Sequence, residues 1–201
     1  YDMMVLRLTN ANVPGPKPKL FVMTAIHARE YTTAELNTRY AEYLVDNYGI
    51  DPDVTWLLDY HEIHLMLQSN PDGRKKAETG LLWRKNTNEN YCGATSNDRG
   101  ADLNRNYPFQ WGCCGGPSPA SEPETQVGLD YIRSEFPDQR PDDLVTPAPD
   151  DAMGIFLDIH SYSQLVIWPW GFTYSLPPNS TALQTLGRKL AFFNGYDPDQ
   201  A

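Results

Sequence analysis

The chain has 201 residues, of which 40% are hydrophobic, and a formal net charge of −10 with a pI near 4.7. This length suffices for one sizeable core, and no internal repeat or low-complexity run is present, so we expect a single domain over residues 1–201. The acidic balance argues against a nucleic-acid partner, and the apolar runs are too short for a membrane span.

Strand and helix patterns alternate at the start of the chain. A nearly continuous apolar run over residues 19–26 predicts a strand that is covered on both faces. Residues 33–47 are expected to form a helix, because Thr32 and Glu35 have the spacing of a capping box and Gly49 provides a stop.

A shorter helix and a second strand are expected next. Residues 51–58 begin with Asp-Pro and favour a helix, and residues 62–68 alternate enough to form a strand that ends in a turn at residues 70–73. His61 and His64 stand at the start of this strand, and we assign both to structure.

Residues 85–120 are rich in Asn, Gly, Pro and Ser and show little periodicity. Irregular stretches of this length are usually functional or disordered. The stretch contains Cys92, Cys113 and Cys114. A bridge from Cys92 to one of the other two in an oxidising compartment and three free thiols are both open alternatives.

The remainder alternates again. We expect a helix over residues 121–136, a Pro/Asp-rich connection over 140–151, strands over 154–159 and 165–168, and a helix over 181–193 with no closing strand after it. The fold class implied is α/β, with a mixed, largely parallel sheet sandwiched by helices.

Potential metal ligands follow two of the predicted strands. His27 and Glu30 come directly after the strand over residues 19–26, and His160 follows the strand over 154–159. Each motif alone is more often structural, but ligands in open α/β sheets bind beyond the carboxyl ends of the strands. Two imidazoles and one carboxylate leave a fourth position for water on a catalytic Zn²⁺. The pattern predicts a hydrolytic metalloenzyme.

The segment Asp102-Leu-Asn-Arg-Asn-Tyr-Pro108 concentrates a guanidinium and amides within the irregular stretch. One interpretation is a turn with a solvated Arg105. The other is a clamp for a carboxylate, because a guanidinium offers a planar fork of donors that matches a carboxylate.

A series of short motifs runs along the chain: His27-Ala-Arg-Glu30, Asn70-Pro-Asp-Gly73, Trp83-Arg-Lys85, Asp102-Leu-Asn-Arg-Asn106, Ser121-Glu-Pro-Glu124 and Ile159-His-Ser-Tyr-Ser163. In this order they resemble the zinc carboxypeptidases of the carboxypeptidase A family. The resemblance covers most of the chain, and several ordered motifs are far more specific than any one of them. It implies a mixed sheet between helices, consistent with the pattern above.

The resemblance implies roles for individual residues. His27, Glu30 and His160 are expected to bind one Zn²⁺, and Asp102 to orient His27 through the nitrogen that does not bind metal. Four further residues are expected to contact the substrate. Asn104 and Arg105 are expected to hold the free carboxylate at the C-terminus of a peptide or protein, and Arg29 and Tyr162 to line the cleft. The resemblance also implies a monomer that is secreted or periplasmic.

Two departures from the family pattern stand out. The pattern places an arginine that polarises the scissile carbonyl where this chain has Thr87; Arg84 or Arg99 reaching the carbonyl from another direction, or a different carbonyl-binding group, are the open alternatives. The family's general-base glutamate and capping tyrosine lie well downstream of the third ligand, so we expect the base beyond Ala201 and a C-terminally incomplete domain, also shortened at its N-terminus. A zinc deacylase or amidase and a non-catalytic zinc-binding relative are the alternative functions.

Overall fold

The computed structural model describes residues 1–92 and 99–201, and the chain divides into two compact units. The first comprises Tyr1–Phe136 and Met153–Ser161, and the second comprises Pro137–Ala152 and Tyr162–Ala201. The single domain over residues 1–201 stays a prediction.

Strands and helices alternate in both units. In the first unit they are β1 (Val5–Leu8), β2 (Lys19–Thr24), α1 (Tyr31–Asn47), α2 (Pro52–Tyr60), β3 (Glu62–Met66), α3 (Pro71–Ala77), α4 (Pro123–Glu135) and β4 (Ile155–Ile159), with a short 3-10 helix at Leu103–Arg105 between α3 and α4. In the second unit they are β5 (Leu165–Trp168), α5 (Ser180–Asn194) and β6 (Asp197–Gln200).

The first unit is built on a mixed sheet with the strand order β1-β3-β2-β4. β2 pairs in parallel with both β3 and β4, and β1 is antiparallel to β3. In the second unit, β5 and β6 form a parallel pair. The predicted α/β class with a largely parallel sheet is confirmed. Since β2 and β4 run in the same direction, their carboxyl ends lie at one edge of the sheet.

The core lies on both faces of this sheet. Val22 packs on one face with Leu44 of α1 and Leu58 of α2, whereas its neighbour Phe21 packs on the other face with Tyr131 of α4. Phe21 is fully buried, and burial of such a side chain contributes about 1.5–3 kcal/mol. Helices on both faces explain why β2 is an unbroken apolar run.

Helix α1 begins two residues before the predicted position, and the capping box is wrong. Its N-cap residue is Glu30, whose side chain makes no capping bond. Glu30 instead turns towards His27 and His160. The Thr33 hydroxyl ties the start of the helix to the end of β2, because it donates to the Glu30 carbonyl at 2.9 Å and accepts from the Ala25 amide at 3.0 Å. The turn that carries His27 and Glu30 thus fixes where the helix starts.

The predicted turn at residues 70–73 is the beginning of helix α3. The Asn70 side chain caps it by accepting from the Gly73 amide at 3.0 Å, and Pro71 occupies the first turn. The sequence does not predict this helix, because Pro-Asp-Gly-Arg-Lys-Lys-Ala has no apolar stripe. Strands β1 and β6 were also not expected. β6 consists of residues with low strand propensity and is formed by pairing with β5.

Cys92, Cys113 and Cys114 are free thiols, so the structure follows the free-thiol alternative. In the part of the chain that the structure describes, no helix combines the length and apolarity that a bilayer crossing requires.

Candidate metal centre

The structure brings His27, Glu30 and His160 together at one edge of the sheet. His27 lies three residues past the end of β2, and His160 directly follows β4. His27 Nδ1 is 2.7 Å from Glu30 Oε1, and His160 Nδ1 is 3.1 Å from both His27 Nδ1 and Glu30 Oε2. His27 and Glu30 are buried, whereas the His160 side chain is 33% exposed.

These atoms fit a zinc ion in kind and in spacing. One ligand atom from each residue lies within 4.8 Å of the others. Four tetrahedral ligands at 2.0–2.1 Å from zinc are about 3.3 Å apart, close to the separations observed. Both imidazoles direct Nδ1 to the same point, where a cation accommodates two nitrogen lone pairs and a carboxylate.

Each histidine has a carboxylate at its other ring nitrogen. His27 Nε2 lies 3.3 Å from Asp102 Oδ1, and His160 Nε2 lies 2.9 Å from Asp158 Oδ2. Such partners fix the tautomer and ring orientation of metal-binding histidines. Sequence reasoning missed Asp158. The Asp-x-His spacing at the end of β4 was the available signal, because residues two apart in a strand share a face.

The electrostatics of this cluster favour charged groups. Burial opposes the ionised form of Glu30, but hydrogen bonds with His160 and His27 outweigh it and lower the pKa of Glu30 to about 2. Burial likewise opposes the charge on Asp102, but His27 and Arg84 hold its pKa well below the usual value. Burial lowers the pKa of His160, whereas Asp158 and Glu30 together raise it to about 10. The ionised carboxylates of the cluster therefore attract a cation.

The expected substrate-binding residues of the first unit lie beside this cluster. Asn104 Nδ2 is 3.4 Å from His160 Nε2, and Arg105 Nη1 donates to the Asn104 carbonyl at 2.9 Å. Arg105 is exposed, and so is Arg29, which stands on the turn between His27 and Glu30. Tyr162 belongs to the second unit, where its side chain is 95% exposed.

The turn that carries Asp102 and Asn104 is held by buried amides. Asn86 and Ala101 exchange two hydrogen bonds: the Asn86 amide donates to the Ala101 carbonyl at 3.0 Å, and the Ala101 amide donates to Asn86 Oδ1 at 2.8 Å. The buried Glu122 carboxylate accepts from Asn86 Nδ2 at 2.6 Å and from Asn88 Nδ2 at 2.9 Å. These bonds join the segment around Thr87 to the Asp102 turn.

Arg84 and Arg99 are the alternatives to the arginine that the family pattern places at Thr87. Within the described part of the chain, Arg84 contacts the cluster and Arg99 does not. Arg84 Nε donates to Asp102 Oδ2 at 3.0 Å, and its Nη1 lies 3.9 Å from Glu30 Oε1. Arg99 is instead paired with Glu89 at 3.4 Å.

A second group of potential ligands consists of Glu62, His64 and Glu135. Arg7 pairs with Glu62 at 2.7 Å and Lys19 pairs with Glu135 at 2.7 Å, so both carboxylates are already neutralised. His64 Nε2 is 3.2 Å from Glu62 Oε2, and its side chain is fully buried. We assign His64 to structure, as its position in the sequence suggested.

Comparisons with known proteins point to one family. The zinc carboxypeptidase family model matches residues 1–194. A zinc carboxypeptidase of Saccharothrix mutabilis subsp. capreolus is 34% identical, over 96% of this chain and 46% of its own length. Carboxypeptidase A1 of Bos taurus is 33% identical, over 86% of this chain and 40% of its own length. The chain thus spans less than half the length of these curated relatives.

Solved structures share the fold. The crystal structure of the carboxypeptidase A from Helicoverpa armigera superposes with a TM-score of 0.78 at 24% identity, covering 98% of this chain and 49% of that chain. Thrombin activatable fibrinolysis inhibitor gives a TM-score of 0.78 at 22% identity, covering 100% of this chain and 50% of its own. Because the family model matches residues 1–194 of its 201 residues, the chain belongs to the zinc carboxypeptidase family.

Proposed function

We propose that this chain forms the metal-binding and carboxylate-binding part of a zinc-dependent carboxypeptidase that hydrolyses the C-terminal peptide bond of peptides or proteins. The observation that carries the proposal is the convergence of His27, Glu30 and His160 on one point. Asn104 lies beside His160, and Arg105 is hydrogen-bonded to Asn104.

In this proposal one Zn²⁺ is held by His27, Glu30 and His160. When bound there, zinc supplies a Lewis acid for a peptide carbonyl and for water. Asp102 accepts a hydrogen bond from Nε2 of His27, and Asp158 accepts one from Nε2 of His160. Both Nδ1 atoms therefore stay available as ligands.

Arg105 and Asn104 determine where the substrate is cut. The guanidinium pairs with the free C-terminal carboxylate and the amide donates to it, which places the last peptide bond next to the metal ligands. A peptide without a free carboxylate lacks this contact, so the enzyme removes single C-terminal residues. Arg29 and Tyr162 are each assigned a contact with the substrate in this proposal.

The proton acceptor for the attacking water is assigned to a glutamate beyond Ala201, as the resemblance implies. The chain is then an incomplete catalytic domain, and the 201-residue piece alone is expected to be inactive or impaired. We further propose that the whole protein is a monomer that is secreted or periplasmic.

The test uses the longest natural form of the protein beside the 201-residue chain. Metal content is measured by atomic emission, and release of the C-terminal residue from an N-acylated dipeptide is measured by chromatography. We expect one zinc in both, hydrolysis by the longer form, and loss of zinc and activity in His160→Ala. A dipeptide with an amidated C-terminus is the matched substrate control.

Thr87 is the reason for a second candidate function, a zinc deacylase or amidase, because it stands where the family pattern has the carbonyl-polarising arginine. A zinc deacylase or amidase on this scaffold would release the acyl or amide group and spare the C-terminal residue. Zinc binding without hydrolysis of either substrate class would indicate a non-catalytic relative. Absence of zinc from the wild-type protein would refute the metal assignment itself.

A further inference from the structure

We infer that helix α3 forms a basic rim beside the candidate metal centre, and that this rim selects peptides with an acidic side chain on the N-terminal side of the scissile bond. The inference rests on the proposed carboxypeptidase function and adds a substrate preference to it. The basic rim consists of Arg74, Lys75 and Lys76, three successive residues of α3.

The charge of this segment is opposite to that of the chain. Residues 71–85 contain five basic and two acidic side chains, whereas the whole chain has 16 basic and 26 acidic ones. A local excess of one sign of charge raises the concentration of oppositely charged ligands near it. The segment therefore favours an acidic ligand, although the chain as a whole repels one.

Helix α3 packs against the turn that carries two of the proposed metal ligands. Ala77 of α3 and Trp83 pack with Ala28 in one buried cluster. Ala28 lies between His27 and Glu30 in the sequence. Apolar packing thus fixes the basic rim beside the candidate metal centre.

Arg74 reaches the same turn from α3. Its Cζ atom lies 3.9 Å from the ring centroid of Tyr31, the residue directly after Glu30, in a cation–π contact. The Arg74 side chain is 27% exposed, and its Nε pairs with Glu78 at 3.0 Å. That bond does not consume the N–H groups on the two terminal nitrogens, which can receive a carboxylate in the planar fork that suits it.

Two lysines add to the charge beside Arg74. Lys75 pairs with the same Glu78 carboxylate at 2.9 Å, so one anion serves two cations. Lys76 Nζ lies 5.5 Å from the ring centroid of Trp83, and no carboxylate in the described part of the chain pairs with it. The basic rim therefore keeps an excess of positive charge when its internal ion pairs are formed.

The proposed carboxylate-binding residues and the basic rim lie at different ligands of the centre. Asn104 lies beside His160, whereas Tyr31 directly follows Glu30. A peptide whose C-terminal carboxylate is held at Asn104 has its last peptide bond at the proposed metal ligands, so its preceding residues leave past the other ligands, towards Arg74. Since a peptide extends at most about 3.3–3.6 Å per residue, its three residues before the scissile bond span roughly 10 Å.

The test measures kcat/KM for release of the C-terminal residue by the zinc-loaded, longest natural form of the protein. Three pairs of peptides carry Glu or Gln at the first, second or third position before the scissile bond and are otherwise identical. We expect at least one pair to favour Glu by about three- to tenfold, the effect of two partly screened cations. This preference should shrink when salt rises from about 0.05 M to about 0.5 M, because the Debye length shortens.

Matched variants identify the source of the preference. Arg74→Gln combined with Lys76→Gln should bring the ratio of Glu to Gln peptides to about one, whereas Arg74→Lys keeps the charge and should retain most of the preference. Arg39→Gln is the control, because Arg39 of α1 is an exposed arginine that pairs with Glu35, and it should leave the ratio unchanged.

Three results would overturn the inference. The first is a wild-type preference that is absent from all three pairs, which would make the basic rim an ordinary solvated surface. The second is a preference that survives the double substitution. The third is an equal loss for both peptides of a pair in Arg74→Gln, which would make Arg74 only a structural support for Tyr31.

The failure of the proposed function has a different signature. If the wild-type protein binds zinc but releases no C-terminal residue from any of the peptides, the carboxypeptidase proposal fails. The affinities of the same peptide pairs, measured by titration calorimetry with the same variants, then decide the role of the basic rim by the same ratio.

Discussion

Replacement of Asp102 by asparagine isolates the support that His27 receives. Asp102 Oδ1 lies 3.3 Å from His27 Nε2 and accepts from the Asn104 amide at 3.0 Å, while Oδ2 accepts from Arg84 Nε at 3.0 Å. Asparagine keeps the size of the side chain but removes its charge and turns one acceptor oxygen into a donor. One of the two sides must therefore lose its hydrogen bond.

The size of the change in zinc affinity depends on whether His27 or Arg84 loses its hydrogen bond. Arg84 is 32% exposed and can bond to water instead, whereas His27 is buried, so the amide oxygen should stay with His27. A neutral oxygen supports the imidazole less strongly than a carboxylate. Loss of such support typically lowers metal affinity 10- to 100-fold, or about 1.4–2.7 kcal/mol.

The assay is a competition for zinc against a chromophoric chelator at pH 7.5, with thermal unfolding of the metal-free protein as a parallel readout. Asp59→Asn is the matched control, because Asp59 bonds to Asn10 and Tyr48 away from the metal ligands. A zinc affinity for Asp102→Asn within threefold of wild type would refute the orienting role of Asp102.

Three further outcomes are expected. Glu30→Gln removes an anionic ligand and should abolish zinc retention through gel filtration, measured as metal content; zinc retained at one per chain would contradict the assignment. Gly115→Ala should destabilise the protein by about 1–3 kcal/mol in urea, since its Cβ would collide with the Arg105 carbonyl, whereas Gly112→Ala, in open space, should change it by less than about 0.5 kcal/mol. Burial lowers the pKa of His64 below its usual 6.5, so its contribution to stability is present above pH 6.5 and is lost as pH falls from 6.5 through the lower pKa of the folded state. The metal-free protein should therefore lose more unfolding free energy between pH 7.5 and 5.5 than His64→Gln does, and equal losses would exclude His64 as the cause.

The sequence predicted the sheet and the convergence of the ligands because both depend on strong local signals. The apolar run of β2 identifies a central strand, and a parallel partner ending before His160 places that residue at the same edge as His27. The residue types then define the chemistry, because imidazole and carboxylate are the donors of catalytic zinc. The family motifs imply the proposed roles of Asn104 and Arg105, which local patterns alone leave open.

Elements that depend on tertiary contacts were missed. Helix α3 has no apolar face of its own and is anchored by Asn70, whose Nδ2 donates to the Ile26 and Lys85 carbonyls at 3.1 Å. The start of α1 is set by the contacts of Glu30 with two histidines, and not by the capping box in the sequence. Asp158 became visible as a partner of His160 only when the ring orientation was known.

The irregular stretch between α3 and α4 carries candidate site residues whose positions depend on tertiary contacts. Apolar burial positions His27 and His160 through the sheet, and it reaches the turn of Asp102 and Arg105 through Leu103, which is buried in the core. Buried amides also hold that turn: Asn106 donates to the Ser118 carbonyl at 3.1 Å and accepts from the Glu122 amide at 3.1 Å.

A buried polar network of this kind is stable only when every member is satisfied, since each unpaired group costs about 1–3 kcal/mol. Ordering of the turn is therefore cooperative. Loss of one amide should displace Asp102, the support of His27, together with the Asn104–Arg105 pair beside the metal ligands. We therefore expect one such loss to weaken both the proposed zinc binding and the proposed recognition of a substrate carboxylate, through hydrogen bonds that touch neither the metal nor the substrate.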